Sequence, residues 1–166
     1  MKKAIILILL CFWGLWLPAQ NMVEEFYNNY GEDVEFTTVN VSAKMFSLIA
    51  DMSDPEAESI IKNLTGFRLL KTEKNVALYH RESLLWLKHT GKGYEELLRV
   101  QEQKEDVAIY IREVKGTVVE LIVLVNNGSE FVLMGFTGNI DLKKISKLSS
   151  AVHVKGVEYL DKAINN

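Results

Sequence analysis

The chain has 166 residues, with 19 Lys and Arg against 22 Asp and Glu, for a formal charge of −3. That length suits one domain with a substantial core. The acidic balance argues against nucleic acid or an anionic membrane surface as partner, since either would require a basic patch.

Lys2 and Lys3 precede an apolar stretch from Ala4 to Leu17, which Pro18-Ala19-Gln20 breaks. This is the charged start, apolar run and small-residue cleavage site of a secretory signal peptide. Residues 1–20 are therefore expected to be removed, and the protein to be exported to the periplasm or elsewhere in the cell envelope. The stretch is too short and wrongly flanked for a membrane span, so the mature chain is expected to carry no transmembrane segment. Without Lys2 and Lys3, residues 21–166 have a formal charge of −5. The only cysteine, Cys11, lies in the leader, leaving the mature chain no disulfide and no thiol nucleophile. A lipid anchor at Cys11 is not expected, because Leu10 stands where lipoprotein processing favours a small residue.

Residues 21–35 are polar and acidic, interrupted by Phe26, Tyr27 and Tyr30, and read as a flexible or weakly docked segment. Residues 36–166 read as a single domain. Phe36 to Val41 suits a short strand. Ser42 suits an N-cap, and Met45, Phe46, Leu48, Ile49 and Met52 follow at helical spacing. Asp54-Pro55 starts a second helix, with an N-cap followed by proline at the first helical position. Gly66 is expected to end it, with a strand over Phe67 to Thr72 and a third helix over Val76 to His89. Four strands follow, over Tyr94 to Glu102, Val107 to Val114, Thr117 to Val125 and Glu130 to Thr137. Their short joints, among them Asn126-Asn127-Gly128-Ser129, force antiparallel neighbours. Asp141 caps a helix over Leu142 to Leu148, and a last helix spans Val157 to Ile164. The expected fold is α+β: an antiparallel meander of about four to five strands with helices packed on it.

No residue set specifies a chemistry. His80 and His89 fall on different faces of one helix, and His153 lies far away, so no zinc site and no cofactor site is expected. Glu95 and Glu96 point to opposite faces of a strand, and Glu102, Glu105 and Asp106 border a turn and read as solvated. The serine-hydrolase elbow, phosphate loop and EF-hand spacings are missing.

Val118 to Val125 and Phe131 to Phe136 are apolar on both faces, which asks for cover on both sides. Helices from the two ends of the chain can supply it; otherwise one face meets a second subunit or an apolar ligand. Among the aromatic residues, Trp86, Tyr94, Tyr110 and Phe131 are the candidate interaction surface.

The order of several motifs resembles a family of exported Bacteroidetes proteins known only as domain of unknown function 4252. The motifs are Phe36-Thr37-Thr38-Val39-Asn40-Val41-Ser42, Ile60-Ile61-Lys62-Asn63-Leu64-Thr65-Gly66-Phe67-Arg68-Leu69-Leu70, Gly93-Tyr94-Glu95-Glu96-Leu97-Leu98-Arg99-Val100, Val107-Ala108-Ile109-Tyr110-Ile111, Glu120-Leu121-Ile122-Val123-Leu124-Val125 and Gly135-Phe136-Thr137-Gly138-Asn139-Ile140-Asp141. The resemblance implies a cell-envelope protein of a Gram-negative bacterium and supplies no catalytic residues. The expected function is a non-enzymatic module that binds another protein or itself. A carrier or sensor of a small apolar ligand is the alternative. A hydrolase of envelope polymers, drawing on Glu95, Glu102, Asp106, Asp141 or His89, ranks last.

Overall fold

The computed structural model describes residues 21–89 and 93–144. The leader, His153 and the expected helix over Val157 to Ile164 lie outside the described residues. The helix after Asp141 is described only for residues 142–144.

The strands are β1 (Thr37–Ser42), β2 (Leu64–Thr72), β3 (Tyr94–Glu102), β4 (Glu105–Val114), β5 (Thr117–Asn126) and β6 (Phe131–Ile140). They form one antiparallel sheet in the order β1-β2-β6-β5-β4-β3. The fold is α+β, with six strands rather than four or five, because β1 and β2 extend the expected meander beyond β6. The helices are α1 (Met22–Tyr30), α2 (Ala43–Asp51), α3 (Pro55–Ile61) and α4 (Val76–His89).

Local chemistry explains the joints. Lys115 and Gly116, both at positive φ, form the two-residue β4–β5 turn that matches strand twist. Asn127 Oδ1 accepts the backbone N–H groups of Ser129 and Glu130 and closes the β5–β6 turn. Asp54 Oδ1 accepts from the Glu56 and Ala57 amides at 3.0 Å and caps α3. Gly66 does not end the preceding helix. It lies inside β2, which begins at Leu64, and a Cβ there would press on Thr137 Oγ1 at 2.8 Å. Gly138, at φ +142, opens a kink in β6 through which Asn139 N–H reaches Asn63 O at 2.9 Å.

Both faces of the central strands are buried by the chain itself. On one face, Phe46 of α2 and Ile60 of α3 share a core with Ile109, Leu121, Val123 and Met134. On the other, α1 and α4 cover Leu70, Ile122, Leu124 and Leu133. The weakly docked segment expected over residues 21–35 is instead, in its first part, a helix packed on the sheet. Met22, Val23 and Phe26 are buried, Glu24 is half-buried and ion-paired to Arg68 of β2, and Glu32, Asp33 and Glu35 lie beyond the end of the helix. Burial of each such side chain is worth about 1.5–3 kcal/mol, enough to hold a short helix with poor intrinsic stability. Gly135 makes the close approach possible, since a Cβ there would overlap Val23.

Candidate functional site

Three strands place a polar row beneath the start of α1. Tyr94, Arg112 and Glu120 are direct cross-strand partners on β3, β4 and β5. Glu120 is 0% exposed. Its Oε2 accepts from Tyr94 Oη at 2.7 Å and from Arg112 Nε at 3.1 Å, while Oε1 has no hydrogen-bond partner among the described residues. Tyr94 Oη also accepts the Met22 N–H at 2.8 Å, so the row reaches the first turn of α1. Burial raises the Glu120 carboxyl above its ordinary range, against the opposing pull of Tyr94, Arg112 and the Val23 amide. Burial, with the Glu120 charge next, raises the Tyr94 hydroxyl as well. Through Tyr94 the row ties the first turn of α1 to the sheet.

A second cluster lies nearer the β3 edge. Arg99 donates to Glu96 Oε2 at 3.1 Å through Nε, to Asp106 Oδ2 at 3.1 Å through Nη1 and to Tyr110 Oη at 2.7 Å through Nη2. Tyr110 Oη in turn donates to Glu96 at 2.6 Å. His80 Nε2 lies 3.5 Å from Asp106 Oδ2, and burial lowers its pKa, with Asp106 opposing. Every charge in this cluster is answered by a neighbour, which makes it a clasp on the outer strands.

Beside the clasp, α4 and the β3–β4 edge enclose a groove of about 530 Å³. The α4 wall presents Arg81, Leu84, Leu85 and Lys88, at the spacing of a single helix face. The sheet wall presents Tyr94, Glu96, Arg99 and Tyr110.

At the opposite edge of the sheet the surface is apolar. Only Phe46 and Ala50 of α2 are buried, while Met45, Leu48, Ile49 and Met52 are 49%, 47%, 40% and 88% exposed. Next to this stripe runs β1, Thr-Thr-Val-Asn-Val-Ser, an edge strand with no charged residue and regular pairing to β2. The other edge, β3, carries a bulge and Glu95, Glu96, Arg99 and Glu102. Charges and bulges discourage pairing by a further strand, and β1 has neither.

Of the residues singled out from the sequence, the structure brings Tyr94 and Tyr110 together in the groove. Trp86 is half-buried and packs edge-on against Phe26 at 5.6 Å. Phe131 is 0% exposed and belongs to the core beside Phe26, so it offers nothing to a partner. Asp106 is not solvated as expected but ion-paired to Arg99, because the strand begins at Glu105 and turns it onto the clasp. Glu95 and Glu102 are exposed. Asp141 Oδ1 accepts from the amides of Lys143 and Lys144, as a cap does. The His89 side chain lies outside the described residues. Among the described residues, no three His, Cys, Asp or Glu side chains group as metal ligands, and no helix is long and apolar enough to cross a membrane.

Sequence reasoning missed Glu120. Its signal was a single charge in the run Val118 to Val125, which is apolar at every other position. Such a charge persists in a core only with partners, which points to a buried network.

Residues 27–148 match the family model described as a domain of unknown function, DUF4252. No curated protein and no solved structure shows significant similarity to the chain.

Proposed function

The chain belongs to the DUF4252 family, and on that premise we propose that it is an exported cell-envelope module that works by docking a protein, in the simplest case a second copy of itself, and not by catalysis. The observation that carries this reading is the apolar stripe Met45, Leu48, Ile49 and Met52 beside the uncharged edge strand β1. An edge strand offers a row of unpaired N–H and C=O groups, so a second strand gains main-chain hydrogen bonds by adding there. The stripe adds apolar burial, and its methionines adapt to an irregular partner surface. Two β1 edges can pair antiparallel about a two-fold axis, which yields a closed, self-complementary dimer. Export is supported by the signal-peptide pattern of residues 1–20.

The test is a photo-crosslinking residue placed at Val39 in cells of the producing organism, with Glu95 on the other edge as control. A discrete crosslinked species from Val39 and none from Glu95 supports the reading. Equal, diffuse labelling from both positions overturns it.

A further inference from the structure

We propose that the groove between α4 and the β3–β4 edge binds a single-chain anionic amphiphile of the fatty-carboxylate class. Its volume of about 530 Å³ falls within the roughly 300–1,000 Å³ of small-molecule sites. A chain laid along it meets Leu84 and Leu85 on one side and the rings of Tyr94 and Tyr110 on the other.

The charge of the groove is one-sided. Arg81 and Lys88 stand seven residues apart on one face of α4, about 10 Å along its axis. Both are exposed, and neither has an ion pair with a described residue. The strand side cannot neutralise them, because Glu96 is already held by Arg99 and Tyr110. Arg99 itself is spent on Glu96, Asp106 and Tyr110, so it strengthens the wall without competing for the ligand. A chain with net charge −3 therefore presents a cationic rim over an apolar trough. An anionic head at the rim with its tail in the trough satisfies both, whereas a cationic head would face repulsion there.

The experiment is calorimetric titration of the purified protein with sodium dodecanoate and with dodecyltrimethylammonium, each below its micelle concentration. Dodecanoate is expected to saturate at one per chain and to bind at least about tenfold more tightly than the cation, as expected for two partly screened charge contacts. The doubly charge-reversed variant Arg81→Glu, Lys88→Glu should invert that preference while keeping the wild-type circular dichroism spectrum. A Leu85→Ser variant, altering an exposed position in the trough without changing charge, should weaken both ligands. Failure of dodecanoate to saturate, or equal affinities for the two ions that charge reversal leaves unchanged, would overturn the proposal.

Discussion

Tyr94→Phe isolates the joint between α1 and the sheet. The ring stays, so no cavity opens and the groove wall keeps its shape. What is lost is one oxygen that donates to Glu120 Oε2 at 2.7 Å and accepts from Met22 N–H at 2.8 Å. A hydrogen bond to a charged group contributes about 1.5–3 kcal/mol, and a buried amide left unpaired costs about 1–3 kcal/mol. Allowing for partial relaxation of the amide, the substitution should destabilise the protein by about 2–4 kcal/mol, a sizeable part of the roughly 5–15 kcal/mol typical of a domain. Urea unfolding followed by far-ultraviolet circular dichroism measures the loss. Hydrogen exchange should find lost protection concentrated in α1 and little change in β4 and β5. In combination with Glu120→Gln, the double-mutant cycle should show coupling of about 1 kcal/mol or more, since the two groups touch. A loss below about 0.5 kcal/mol, the scale of an ordinary surface substitution, with α1 protection unchanged, would refute this account of how the helix is held.

Two further outcomes follow from the same face of the sheet. Gly135→Ala should destabilise by about 1–3 kcal/mol through overpacking, because its Cβ would lie 2.8 Å from Val23 Cβ. Val23→Ala in the same chain should recover part of that loss in thermal melts, and a neutral Gly135→Ala would contradict the close approach of α1. Burial raises the Glu120 pKa in the folded state above its ordinary 4.5. The folded protein therefore holds this proton more tightly than the unfolded chain. Its contribution is complete below about pH 4.5 and declines as pH rises through the folded value. Urea midpoints from pH 4 to pH 8 should show the wild type losing stability relative to Glu120→Gln, whereas a relative gain would mean that Arg112 and Tyr94 outweigh burial.

Much of the architecture was legible because it rests on local signals. Asp54-Pro55 marked the start of α3, and the apolar spacing from Val76 to His89 gave α4 its full extent. The turn residues of the second half located β3 to β6 and implied antiparallel pairing. What escaped depends on distant partners. The pairing of β2 with β6 joins segments some 70 residues apart, and no local pattern announces it. The sequence of α1 looks solvated until Gly135 and Glu120 are placed beneath it. The candidate surface failed at Phe131 because an aromatic residue beginning a two-faced strand is spaced alike whether it faces a core or a partner. The apolar residues of α2 marked a helix correctly, but their number exceeds what one buried face takes up, and that excess was the available clue to an exposed apolar surface.

Docking through the β1–α2 surface is tested by sedimentation of the purified protein across a concentration series. Reversible association to a dimer is expected, abolished by Val39→Lys combined with Met52→Glu, with the circular dichroism spectrum unchanged because both positions are exposed. Glu95→Lys, on the opposite edge, should leave the dimer intact. A wild-type protein that stays monomeric at every concentration, or a dimer indifferent to the paired β1–α2 substitutions, would contradict it.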